Sequence, residues 1–128
     1  MEITKEEISE YPWLQPRSGW YGPSEIPDGW KTLALELCAD IKKYLTANEI
    51  PYSNYHLDQG KEKWGELHWY DDITGYEGKE YVKIRTDLYN IIDPYIEKSK
   101  TTCVCCGEPA KMRMKSWIEP LCDKCFIE

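Results

Sequence analysis

The spacing of the last five cysteines constrains this chain more than any other feature. Cys103-Val-Cys105-Cys106-Gly107 is followed, after fifteen intervening residues, by Cys122-Asp-Lys-Cys125. Two Cys-x-x-Cys pairs at such a separation match the spacing of a tetrahedral zinc site. Two residues between ligands let a tight turn aim both sulfurs at one ion, and a hairpin between the turns brings the second pair alongside. Gly107 supplies the permissive backbone that the first turn needs. The spacing therefore predicts Cys103, Cys106, Cys122 and Cys125 as ligands of one structural zinc ion, with Cys105 left as a spare thiol. Four thiolates close the coordination sphere and leave no position for water or substrate. The ribbon, residues 101–128, is expected to carry a strand within Ala110–Trp117 and to depend on the metal for its fold. On this reading chelation disorders residues 103–125 and spares the helical body.

The sixth cysteine, Cys38, falls on an apolar helical stripe and reads as a buried small hydrophobe. Crowding of the other five near the C-terminus argues for metal binding rather than a disulfide framework. The first residues lack the basic start and apolar stretch of a secretory signal. No apolar run approaches the roughly 20 residues that cross a bilayer. The expectation is a soluble, cytoplasmic protein with no membrane partner.

Residues 1–100 read as an α+β body. Thr4 and Glu7 form a capping box, predicting a short helix over residues 5–10. Seven prolines and glycines between Pro12 and Gly29 then break regular structure. Trp13, Trp20 and Tyr21 lie in that segment, either wrapped onto the body or displayed as a partner-binding surface. Asp28 suits an N-cap for a helix whose Trp30, Leu33, Ala34, Leu37, Cys38, Ile41, Tyr44 and Leu45 follow helical spacing. That helix should end near Asn48, before Pro51. Residues 52–76 alternate like β structure, with an early strand near Tyr55–Gln59 and a second carrying Leu67 and Trp69. A long helix follows over residues 78–98, where Pro94 should kink or restart it with Asp93 as the new cap. The predicted architecture is two main helices on a small antiparallel sheet, with the zinc ribbon at the C-terminus.

Charge and aromatic content bear on partners. Acids outnumber bases 23 to 16 for a net −7, and the aromatics are ten Tyr and six Trp against one Phe. Residues 1–100 carry 12 bases and 19 acids, whereas residues 101–128 carry four of each. An acidic body is ill suited to coating DNA, because phosphate affinity comes from clustered cations. Lys111, Arg113 and Lys115 alternate along the ribbon strand and form the one candidate nucleic-acid-binding face, a weak one. Trp and Tyr are common interface anchors, which favours a protein partner, with Trp13, Trp20 and Tyr21 as the candidate contacts. The sequence holds no dinucleotide or phosphate-binding loop, no nucleophile elbow and no His-Glu-x-x-His. His56 and His68 lie in ordinary strand contexts, so the expectation is a protein that is not an enzyme.

Several blocks together resemble a family of small proteins encoded by tailed phages and prophages. They are Pro27-Asp-Gly-Trp30 leading into Glu36-Leu-Cys-Ala-Asp-Ile41, then Lys61-Glu-Lys-Trp-Gly-Glu-Leu-His-Trp-Tyr70, and last Cys103 to Ala110, Trp117-Ile118 and Leu121 to Cys125. The resemblance spans roughly residues 27–125 and leaves out residues 1–26. Similar sequences more often carry Phe at the position of Trp64 and Arg at that of His68. The resemblance implies a phage or prophage origin, a C-terminal metal knuckle and action in the bacterial cytoplasm. Together with the composition it leads to an expected function: docking on a host protein to inhibit a defence or nucleic-acid-processing complex. The alternative is a nucleic-acid-binding accessory factor acting through the ribbon.

Overall fold

A computed structural model describes residues 1–127. The order is α1 (Lys5–Glu10), β1 (Gly22–Glu25), α2 (Lys31–Ala47), β2 (Tyr55–Lys63), β3 (Glu66–Ile73), α3 (Gly78–Ser99), β4 (Lys111–Met114), β5 (Ile118–Leu121) and α4 (Asp123–Ile127). The class is α+β: two main helices, a three-stranded sheet and a two-stranded C-terminal hairpin bearing the cysteines. α1 begins with the expected capping box, in which Glu7 N–H donates to Thr4 Oγ1 and Thr4 N–H donates to Glu7 Oε1. α2 buries Leu33, Ala34, Leu37, Cys38, Ile41 and Leu45, the stripe that the spacing predicts.

Three local expectations are corrected. The sheet is mixed rather than antiparallel, because β1 runs parallel to β2 while β2 and β3 form an antiparallel hairpin. The connection explains this: β1 reaches β2 through α2, and a crossover helix is what joins parallel neighbours. Asp28 does not cap α2 through its side chain. A single 3₁₀ turn, Asp28–Trp30, leads into the helix, and the Asp28 carboxylate lies near the N-terminal amine. α3 is not restarted at Asp93 but continues past Pro94 to Ser99. Proline costs a helix interior one hydrogen bond and a ring clash. Burial of Ile84, Leu88 and Ile92 before it and of Ser99 after it, where Ser99 Oγ accepts from Leu67 N–H, holds the helix on both sides.

Trp13 is the ring that the N-terminal segment contributes to the core. It is 3% exposed, its indole Nε1–H donates to Cys38 Sγ at 3.3 Å, and it meets Tyr55 edge-on with centroids 5.3 Å apart. Burial pushes the Cys38 thiol up to about 12, so it stays protonated at neutral pH. Beneath this cluster Tyr55 donates to Asp71 Oδ2 (2.5 Å), Trp69 Nε1–H donates to Tyr55 Oη (2.9 Å), and Arg85 Nη2 pairs with Asp71 Oδ1 (2.7 Å). These polar groups satisfy one another where water is excluded. Arg17 in turn grips Asp58 with Nε and Nη2 at 2.8 and 2.9 Å, tying the N-terminal segment to β2.

These positions separate two neighbouring tryptophans in stability. Trp13→Ala should cost about 3–5 kcal/mol, whereas Trp20→Ala, which removes a half-exposed ring, should stay within about 0.5 kcal/mol of wild type. Urea unfolding of both variants checks the contrast.

Candidate metal centre

Two turns position the four sulfurs. Cys103 and Cys106 lie on the loop between α3 and β4, and Cys122 and Cys125 lie at the end of β5 and one helical turn later in α4. The Sγ atoms of Cys103, Cys106, Cys122 and Cys125 all fall within 4.8 Å of one another, and Cys106 and Cys122 are 3.6 Å apart. A tetrahedron of metal–sulfur bonds of about 2.3 Å has sulfurs about 3.8 Å apart, so the group can hold a metal ion. The sequence-predicted ligand set is brought together as a unit. Cys105 is exposed and stands outside it.

Main-chain dipoles prepare the site for negative sulfur. Burial raises the Cys103 thiol, but N–H groups of Cys122, Cys106 and Cys105 aimed at it more than offset this and bring it down to about 6. The Cys125 N–H also approaches Cys122 Sγ at 3.4 Å. The Cys125 thiol is raised, chiefly by its contact with Cys122 and then by burial. The Cys106 thiol is raised too, because the lowering by the Glu108 N–H is outweighed by burial and by its Cys122 and Cys103 neighbours, so both hold their protons at neutral pH. A metal must displace those protons, so its retention falls as pH drops.

The knuckle is welded to the body rather than tethered to it. Gly29 N–H donates to the Val104 carbonyl (2.9 Å) and Trp30 Nε1–H donates to the Thr102 carbonyl (2.8 Å), while within the ribbon Val104 N–H donates to the Pro120 carbonyl (3.0 Å). Backbone meets backbone here. A Cβ on Gly29 would lie 2.1 Å from the Cys103 oxygen, and one on Gly107 (φ +83°) would lie 2.8 Å from the Gly29 oxygen. Cys103, Val104 and Leu121 join the same hydrophobic cluster as Trp30 and Leu33. Residues 1–100 and 101–127 thus share one core.

The other candidate residues are dispersed. Trp13 is buried in that core, which corrects its reading as a partner contact. Trp20 (49% exposed) and Tyr21 (62%) do face solvent. Lys111 and Lys115 are exposed on and just beyond β4. Arg113 between them is turned inward, pairing with Asp123 and lying 4.8 Å from the Phe126 ring centroid. Sequence reasoning passed over a second aromatic surface. Trp64 (64% exposed) and Trp117 (45%) stack with centroids 5.6 Å apart, joining the β2–β3 turn to the tip of the β4–β5 hairpin. Trp117 Nε1–H is 3.1 Å from both Glu62 carboxylate oxygens. The Trp64-Gly65 turn has φ of +58° and +83°. Two-residue hairpin turns with positive φ at both positions favour Asn-Gly, so Trp in that place was the available signal.

Comparison of the chain with models of protein families, with curated proteins and with solved structures found no match in any of the three.

Substituting Ser for Cys103, Cys106, Cys122 or Cys125 should abolish stoichiometric metal, while Cys105→Ser should retain it; metal analysis of the purified chains distinguishes the two outcomes. Because of the shared backbone contacts, chelation should expose the amides of Gly29 and the first turn of α2 together with residues 103–125. Hydrogen exchange with and without chelator measures how far the loosening spreads.

Proposed function

We propose that the chain is a phage-encoded, non-enzymatic zinc protein that docks on a host protein in the bacterial cytoplasm and blocks a defence or nucleic-acid-processing complex. Zinc is the ion that best suits four thiolates in tetrahedral array, and a closed shell gives it a structural role. Binding on the scale of about 10–16 kcal/mol, seen for structural zinc in finger peptides, is ample to fix a hairpin this small.

The observation that carries the docking reading is the outward-facing Trp64. A left-handed backbone costs a non-glycine residue on the order of 1–2 kcal/mol, and strain of this kind concentrates at functional positions. Here it places an indole at a hairpin tip, stacked on Trp117 and with its outer face open. Trp20 and Tyr21 add further exposed rings. Desolvated Trp and Tyr are the side chains that most often anchor protein interfaces. The acidic balance of −7 suits a basic partner surface. With Arg113 committed to Asp123, the nucleic-acid alternative rests on Lys111 and Lys115 alone.

A tagged chain should recover a stoichiometric host protein from bacterial lysate and retain one zinc per chain. Trp64→Asn should fold with stability within about 1 kcal/mol of wild type, since it restores a favoured turn, yet lose most of the recovered partner. Undiminished recovery by Trp64→Asn would remove the support for docking through this tip.

A further inference from the structure

β3 is the outer strand of the order β1-β2-β3, so among the described residues one of its edges has no strand beside it. The hairpin register settles which main-chain groups turn that way. Lys63 pairs with Glu66 across the two-residue turn, Leu67 lies opposite Glu62, Trp69 opposite Gly60 and Asp71 opposite Leu57. In an antiparallel ladder alternate residues direct N–H and C=O away from the neighbouring strand. Leu67 is one of these, because its N–H donates to Ser99 Oγ of α3 at 2.9 Å. The same alternation turns the N–H and C=O of Trp69 and Asp71 to the free edge, where no hydrogen bond among the described residues takes them up. β3 also carries neither Lys nor Pro, two of the devices that discourage pairing at an edge.

Between this edge and α3 runs a groove of about 420 Å³, walled by residues 66–71 on one side and by Arg85, Tyr89 and Ile96 on the other. Among the described residues, two side-chain nitrogens in its walls are buried without hydrogen-bond partners: Arg85 Nη1, and His68 Nε2, which lies 3.8 Å from Glu66 Oε1. A second Arg85 nitrogen, Nη2, is held by Asp71, and the guanidinium lies 4.9 Å from the Tyr89 ring centroid. A buried guanidinium N–H left single in a folded protein calls for an acceptor. Tyr70 and Tyr89 are exposed at the mouth of the groove. Alternating donors and acceptors along a strand are matched by the main chain of another extended polypeptide. A nucleic acid strand or a free small anion has no such repeat.

We infer that the groove between β3 and α3 accepts an extended segment of a partner protein as a fourth strand, paired main chain to main chain with Trp69 and Asp71. A carbonyl oxygen of the segment then lies within reach of the free Arg85 N–H. The inference rests on the protein-docking reading above and gives it a mode of recognition.

The test uses the full metal-loaded chain and a random dodecapeptide library. Selected peptides are N-methylated one residue at a time, and amide exchange of the protein is followed with each parent peptide. Strand addition predicts an alternating pattern: N-methylation weakens binding about tenfold at every second position, the scale of one lost hydrogen bond, and leaves the positions between unaffected. The Trp69 and Asp71 amides become protected, and Tyr89→Ala weakens binding while Trp20→Ala does not. Failure to enrich any peptide, a methylation profile without alternation, or protection confined to the Trp64–Trp117 tip would each overturn the inference. So would displacement of the peptides by single-stranded oligothymidylate, or protection in the free protein that rises with its own concentration, which would mark a second copy as the occupant. A host partner recovered equally by wild type and Tyr89→Ala would leave docking standing and remove the groove from it.

Discussion

The contact between Gly29 and the cysteine loop is the joint on which the rest of the structure depends. It brings two backbones to a separation that no side chain would permit, and it carries the Gly29 to Val104 hydrogen bond. On one side of the joint, Trp30 enters the core completely and starts α2. On the other, Cys103 and Cys106 are set beside Cys122 and Cys125. A hairpin of two four-residue strands, in which only Pro120 and Leu121 are buried, buries too little apolar surface to stand alone. It relies on its sulfur cluster and on the body, and the body relies on its loop to cover Trp30.

The aromatic surplus is divided between two tasks. Trp13, Trp30, Tyr55 and Trp69 are buried, three of them with their polar atoms bonded to Cys38, Thr102 and Asp71, and Trp69 bonded to Tyr55. Such rings bring large apolar area and a fixed hydrogen bond at once, which specifies orientation in a small core. Trp20, Tyr21, Trp64 and Trp117 stay at the surface. The last two bridge the sheet hairpin and the cysteine hairpin, so the fold of the cysteine cluster also steadies the exposed indoles. In the proposed account a structural ion thereby serves recognition without touching the partner.

What could be read from the sequence followed from patterns with a strict period or spacing. The ligand set came from Cys-x-x-Cys pairs, α1 from Thr4 and Glu7, and the buried face of α2 from apolar residues three and four apart. Features decided by tertiary contact were hidden. Gly22-Pro-Ser-Glu25 has no alternation to mark a strand, and its parallel pairing exists only because α2 returns the chain to β2. Trp13 could not be told from Trp20 by composition, because a 3₁₀ turn at Pro12–Leu14 aims one inward. Arg113 looked like a free cation until the fold placed Asp123 beside it. The helix does not restart after Pro94 because residues on both flanks, Ile92 before it and Ser99 after it, are buried against the body.

Coincidence of metal loss and unfolding tests the shared-core account most directly. Heating the metal-loaded chain while following helix content by circular dichroism and metal release with a chromogenic chelator gives two curves on one sample. A single transition, in which the ion leaves as α2 and α3 melt, is the predicted result. Release of the metal in an earlier, separate transition that leaves the helical signal intact would contradict it.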